Sequence, residues 1–313
     1  MNFKEIGRKI LGIRTDEELA AQAKKTPKEK VIEFFKSLGF ALIAALFIIT
    51  FFIQNTRIPT GSMENTILVG DFVIVNKFIY GSSSPRYIPF TEIALPYFTI
   101  PGIREPEAGD IVVFEFPGDR EDLVPKELNV NYVKRLIGMP GDTLQIINRV
   151  AYINGKEFPV PPYVHYALPY SKPADRGEDY IYPAGAPWNE DNYGPYVVPK
   201  AGMKITLTPE NYMQWRTFID REHGERVVEL KGGTVTIKGK PVNSYTVQKD
   251  YYFMIGDNRN DSYDSRFWGP VSRDAVVGSA FLVLFSWDRE IPFFNIFKLL
   301  GSVRLERIMM VLE

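Results

Sequence analysis

The sequence predicts a mostly β protein: an antiparallel β-sheet core carrying an inserted, loop-rich subdomain and preceded by one transmembrane α-helix. Three observations predict it. An apolar run from Leu38 to Ile53 is interrupted only by Thr50. From Ile58 onward, short strand-forming runs follow turn signals. Between residues 158 and 205, Pro, Tyr and Gly dominate and no helical period is visible.

The first element is a segment of residues 1–37, polar and mixed in charge. Phe3, Ile6 and Ile10 fall at helical spacing, so it reads either as a short amphipathic helix or as a solvated cytoplasmic tail. Residues 38–53 follow as the membrane span. With Phe34 and Phe35 ahead of it, and Lys36 able to snorkel, the apolar stretch reaches the ~20 residues a bilayer crossing needs. A buried core helix would be unusually free of polar residues. A cleaved leader fits worse, because the preceding stretch is long for a charged n-region and no A-x-A site follows. Lys24, Lys25, Lys28, Lys30 and Lys36 crowd the N-terminal side and place it in the cytoplasm, with the rest of the chain outside.

Residues 54–157 and 250–313 form the β-core. Three segments share one grammar, a Gly-Asp turn feeding a strand: Gly70-Asp71 before Phe72–Val75, Gly109-Asp110 before Ile111–Phe114, and Gly141-Asp142 before Thr143–Ile146. Asn154-Gly155 marks a tight hairpin. Residues 158–249 are the inserted subdomain. It holds a short helix over Pro209–Arg221, with Thr208 as N-cap, and strands at Val227–Leu230, Gly233–Ile237 and Asn243–Val247. The core resumes with Tyr251–Ile255 and Ala280–Phe285. The tail from Ile291 to Leu312 is apolar but broken by Lys298, Arg304, Glu306 and Arg307, which argues against a second span and for core packing or a membrane-surface role.

Composition narrows the chemistry. The 313 residues carry a net charge of −1, so nothing favours nucleic acid as a partner. There is no cysteine, which removes disulfides, thiolate catalysis and cysteine metal sites. The two histidines, His165 and His223, are too far apart for a spaced metal motif. Neither a metal nor an organic cofactor is implied. Catalysis, if present, runs on hydroxyls, lysines and carboxylates.

Three blocks then stand in order behind the span: Ile58-Pro59-Thr60-Gly61-Ser62-Met63, Tyr132-Val133-Lys134-Arg135-Leu136-Ile137-Gly138, and Gly256-Asp257-Asn258-Arg259-Asn260-Asp261-Ser262-Tyr263-Asp264-Ser265-Arg266. Taken alone, Lys134 reads as an ordinary exposed strand lysine. Taken together, the blocks resemble the signature of bacterial type I signal peptidases, membrane-anchored proteases that remove leader peptides from exported proteins. The resemblance covers residues 38–157 and 250–285.

It implies that Ser62 is the nucleophile and Lys134 its general base. A lysine acts as base only when neutral, which at its unperturbed pKa of ~10.4 is roughly one molecule in 2,500 at pH 7. Bringing that pKa to ~8 requires about 3 kcal/mol against the ammonium, which burial can supply. On a strand, Tyr132, Lys134 and Leu136 share one face and Arg135 points to the other. Gly61 is expected to permit an unusual backbone beside the nucleophile. The N–H of Ser62 and the hydroxyl of Thr60 are the oxyanion donors that the resemblance implies, and Ser262 would hydrogen-bond Lys134 and orient it. Asp257 with Arg135, and Asp264 with Arg266, are expected as structural ion pairs near the site. Ile58, Pro59, Met63, Ile67, Tyr132 and Val133 are candidate pocket walls for small side chains, with core packing as the alternative. The family usually has proline three residues after the nucleophile, where this chain has Asn65, followed by Thr66-Ile67 in place of Thr-Leu.

Ser62 lies nine residues beyond Ile53, within ~30 Å of the bilayer edge even for an extended chain. The expected partners are therefore the lipid bilayer and preprotein signal peptides, bound as an added strand beside residues 56–60 and 132–134. Leader peptides end in small residues of A-x-A type. Two other classes compete: a non-enzymatic, membrane-anchored β-domain that binds an extracytoplasmic partner, and a self-cleaving Ser/Lys regulator, which would carry a DNA-binding helix pair where this chain has a span.

Overall fold

The computed structural model describes residues 26–83, 99–126, 130–292 and 294–312. The amphipathic reading of Phe3, Ile6 and Ile10 lies outside them. Two compact units divide at Thr50/Phe51.

The described residues of the first unit form helix α1, which runs Pro27–Phe51. Thr26 and Glu29 start it with a capping box: Thr26 N–H donates to Glu29 Oε2 at 2.8 Å, and Glu29 N–H donates back to Thr26 Oγ1 at 3.4 Å. Pro27 occupies the first helical turn, where its missing N–H costs nothing. The helix starts at Pro27 rather than Leu38, because the cap and the helix-forming Lys-Glu-Lys stretch extend it backwards beyond the apolar run. It ends at Phe51 rather than Ile53, since Ile53 opens a strand. Its 25 residues are long and apolar enough to cross a membrane.

The second unit is built on one antiparallel sheet. Its strands are β1 (Ile53–Arg57), β2 (Asp71–Asn76), β3 (Ile111–Glu115), β4 (Asn131–Gly138), β9 (Tyr251–Ile255), β10 (Val271–Ser272), β11 (Val276–Ser286) and β12 (Met310–Val311). A second sheet uses β5 (Thr143–Ile147), β6 (Val150–Ile153), β7 (Lys156–Glu157) and β8 (Tyr193–Val197). The main order is β1-β2-β11-β3-β4-β9-β10, with β12 on β11; the second is β8-β5-β6-β7.

The repeated Gly-Asp grammar is one turn used three times. Gly70, Gly109 and Gly141 have φ of 94°, 101° and 90°, a region open to glycine. Each following Asp accepts from the N–H three residues earlier: Leu68 to Asp71 at 2.8 Å, Glu107 to Asp110 at 2.9 Å, and Met139 to Asp142 at 2.9 Å. Asn154-Gly155, at φ 52° and 77°, turns β6 into β7 as a two-residue hairpin demands.

Both faces of the main sheet are covered. Along β3, Ile111 and Val113 enter one cluster with Ile58, Met63, Ile67, Val73 and Val283. Val112 and Phe114 enter another with Leu136, Tyr252, Met254 and Trp268. That double burial explains why β3 reads as a continuous apolar run.

The segment 158–249 contributes β8, which pairs with β5. Its Tyr193, Tyr196, Ile205, Phe218 and Val235 share one cluster with Ile137, Leu144, Phe253 and Ile255 of the core. Its helix α2 runs Tyr212–His223 with Asn211 as N-cap, later than the expected Pro209–Arg221. The shift arises because Thr208 and Asn211 bond each other across a turn, Thr208 N–H donating to Asn211 Oδ1 at 2.8 Å. In the tail, Arg307 pairs with buried Asp71 at 2.5 Å and Leu299 is buried, whereas Phe294, Phe297 and Leu305 are exposed.

Candidate active site

Ser62 sits in the turn that joins β1 to β2. Glu64 N–H donates to Gly61 O at 2.9 Å, and the N–H groups of Thr66 and Ile67 both donate to Met63 O, at 3.1 and 2.7 Å. Asn65 closes this turn at φ 73°. Asparagine tolerates that left-handed conformation and proline, fixed near −65°, does not. With asparagine here in place of the proline that the resemblance implies, the turn forms at a φ that proline does not reach. Gly61 does not take the unusual backbone expected of it: it is absent from the positive-φ residues, and a Cβ there would meet Glu64 Oε2 at an ordinary 3.5 Å.

Lys134 lies in the middle of β4, opposite Val112 of β3. The strand alternation carries its side chain to Ser62, and Nζ donates to Ser62 Oγ at 2.7 Å and to Val133 O at 3.0 Å. The ammonium also lies 5.3 Å from the centre of the Tyr132 ring. Ser62 is 8% exposed and Lys134 3%. Burial is the main force on the lysine. It pulls the pKa from 10.5 down to about 8, with the Arg266 charge helping and Asp264 and Asp257 opposing. A base with that value is neutral in a useful fraction near neutrality.

The N–H of Ser62 and the hydroxyl of Thr60 make no hydrogen bond among the described residues, and Thr60 is exposed. Among the described residues, these two donors, at Ser62 and Thr60, are thus uncommitted. The carbonyl of Ser62, in contrast, is held: Asn258 N–H donates to it at 3.1 Å, and Asn258 Nδ2 donates to Gly61 O at 3.1 Å.

The Arg135–Asp257 and Arg266–Asp264 ion pairs are both formed and buried. Arg135 grips Asp257 with Nη2–Oδ2 at 2.7 Å and Nε–Oδ1 at 2.9 Å. Arg266 grips Asp264 with Nη2–Oδ2 at 2.8 Å and Nε–Oδ1 at 2.8 Å. Burial works against the Asp264 carboxylate, but the charge and hydrogen bonds of Arg266 win and hold it below the usual carboxylate range.

Three expectations are corrected or divided here. Ser262 does not hydrogen-bond Lys134. Its Oγ is buried and meets no partner at good geometry, although it stands close enough to Asp264 to help depress that carboxylate. The lysine is oriented by Val133 O and the Tyr132 ring instead. Of the candidate pocket walls, Ile58, Met63 and Ile67 are 3%, 0% and 0% exposed and belong to the core alternative. Tyr132 and Val133 are half-buried and Pro59 is exposed, so these three present surface next to the dyad.

Other contributors carried no separate signal in the sequence. Thr66 Oγ1 donates to Asp257 Oδ2 at 2.6 Å, tying the turn that carries Ser62 to the ion pair. Gly256 passes so close to the site that a Cβ would lie 2.5 Å from Ser62 O. Among the described residues, no group of three or more His, Cys, Asp or Glu side chains could hold a metal.

The chain is similar to known proteins. The family model described as signal peptidase, peptidase S26, matches residues 31–287. A signal peptidase I of Pseudomonas aeruginosa is 30% identical over 279 residues, 85% of this chain and 77% of that one. A signal peptidase I of Rickettsia typhi is 32% identical over 294 residues, covering 91% and 93%. A crystal structure of a signal peptidase I from Enterococcus faecalis covers 57% of this chain and 98% of its own, at 22% identity and a TM-score of 0.27.

Proposed function

The chain belongs to the signal peptidase family, peptidase S26, and we propose that it is a membrane-anchored serine endopeptidase that removes signal peptides from exported preproteins by a Ser62–Lys134 dyad. One observation carries this reading: Nζ of a buried, pKa-depressed lysine stands 2.7 Å from a serine Oγ.

In the reactive state neutral Lys134 accepts the proton of Ser62 as Oγ attacks the scissile carbonyl. The oxyanion accepts from Ser62 N–H and Thr60 O–H. Lys134 ammonium then gives its proton to the leaving amine, an acyl-enzyme remains, and water, deprotonated by Lys134, releases the signal peptide. Arg135, Asp257, Asp264 and Arg266 position the strands that meet at the dyad; Ser262 packs beneath it.

The substrate adds as a strand. β1 stands at the edge of the main sheet, and the ladder of β4 to β9 runs from Arg135 to Gly138, next to the 132–134 segment that would receive the substrate. Main-chain hydrogen bonds there demand little of the sequence. Tyr132, Val133 and Pro59 restrict the adjoining surface, which suits small residues of A-x-A type. Helix α1 anchors the protein in the cell membrane as a single span, its lysine-rich end in the cytoplasm and the catalytic body outside.

Incubating the purified protein in detergent with a preprotein and locating the cut by mass spectrometry tests the proposal. A single cut after a small residue at the end of the leader, abolished in Ser62→Ala, is expected. Equal processing by the Ser62→Ala protein would overturn it.

A further inference from the structure

A second site involves the loop that follows β9. Asn258 secures Ser62, and the next residue, Arg259, turns away from the dyad. Its N–H donates to His165 O at 3.1 Å, and its carbonyl accepts from Arg266 Nη2 at 2.8 Å. Arg259 is 6% exposed, yet its Nε has no partner among the described residues. Among the described residues its guanidinium makes one hydrogen bond, a long 3.5 Å contact from Nη1 to Tyr166 Oη. No ion pair to Arg259 occurs among the described residues, because neighbouring Asp257 and Asp264 are committed to Arg135 and Arg266.

A guanidinium keeps its charge under these conditions, and an unpaired buried charge is strongly disfavoured. Burial draws its pKa down, in the sense expected of an uncompensated cation.

Arg259 lines a cavity of about 140 Å³ whose other walls include Val150, Ala151, Phe158, Val160 and Pro161. Arg149 also reaches the cavity but is spent: Nε pairs with Asp191 at 3.1 Å, Nη1 donates to Leu168 O at 2.9 Å, Nη2 donates to Tyr170 O, and the group stacks on Tyr166. Arg259 is therefore the described cation with donors to spare, set in an apolar hollow about the size of a small organic acid.

We propose that this hollow binds a small aliphatic carboxylate, its oxygens accepting from Arg259 and its alkyl part lying against the Val150–Val160 walls. Inorganic anions would satisfy the charge and leave the walls unused. A neutral amide of the same shape would fill the walls and leave the charge. The carboxylate comes either from a free acid or from a Glu or Asp side chain of a bound polypeptide.

The test uses the full-length protein in detergent, with butyrate as probe and butyramide and chloride, at matched ionic strength, as controls. Thermal unfolding should rise saturably with butyrate and not with the controls, and Arg259→Gln should weaken the response about tenfold or more. Should that variant fail to fold, Val160→Trp, at an exposed position on the rim, keeps the core intact and blocks the hollow; it should retain peptidase activity and lose the butyrate response. Equal shifts with butyrate and chloride, or an undiminished butyrate response in either folded variant, would overturn the proposal. A short capped peptide containing Glu, compared with its Gln counterpart, assigns the source. Protection by the Glu peptide at lower concentration than butyrate indicates a polypeptide side chain, and protection by butyrate alone indicates a free acid.

Discussion

Lys134 Nζ and Ser62 Oγ are 2.7 Å apart although they lie on different elements, a central strand and a tight turn. The contact depends on the Asp257–Arg135 pair and the Thr66 bond, which fix the turn against the strand.

The buried lysine should weaken the fold that it serves. Its folded pKa of about 8 lies below the ordinary 10.5, so between those values the unfolded chain binds more protons and stability rises with pH. Below pH 8 the full cost, about 3 kcal/mol, is present. Lys134→Met should thus be inactive yet more stable than the parent at pH 7 by about 1–3 kcal/mol, with the gain shrinking towards pH 10.5. Denaturant titrations of both proteins across this range check it; no gain at pH 7 would mean the ammonium is well solvated.

Thr60 gives a graded outcome. Thr60→Val keeps the shape and removes the hydroxyl, and loss of one oxyanion donor typically lowers kcat by ~10²–10³. Thr60→Ser should retain most activity. Steady-state kinetics on a leader-peptide substrate decide this, and equal behaviour of the two variants would place the second donor elsewhere.

Gly256 is required by proximity. A Cβ there would press on Ser62 O at 2.5 Å and closer still on Ser262 Oγ. Gly256→Ala should displace the nucleophile and lower kcat/KM by about 10², while far-UV circular dichroism stays unchanged. Full activity in this variant would show that the turn shifts freely.

Much of this was legible in the sequence, for identifiable reasons. Gly-Asp pairs fix a turn by backbone chemistry alone, so the starts of β2, β3 and β5 could be read locally. The blocks single out Ser62 and Lys134, which the fold brings to 2.7 Å, and the face shared by Tyr132 and Lys134 follows from strand alternation. The depth of Ile58, Met63 and Ile67 was not legible, since an apolar residue beside a nucleophile suits a pocket or a core equally well. The sequence pointed to Ser262 as the partner of Lys134; the carbonyl of Val133, which accepts from Nζ at 3.0 Å, is a backbone group present at every position and carries no signal of its own. The start of α1 was set by the Thr26–Glu29 cap, outside the apolar run that signalled the span.

The most direct test of the dyad is the pH dependence of kcat/KM, measured on the wild type and on Lys134→Arg. The wild type should show an ascending limb with an apparent pKa near the value of about 8 that burial gives Lys134. Lys134→Arg, whose guanidinium keeps its proton, should be as inactive as Lys134→Ala at every pH. Near-normal turnover by Lys134→Arg, or a wild-type profile flat from pH ~6 to ~9, would show that this position supplies charge rather than proton transfer, and would contradict the account.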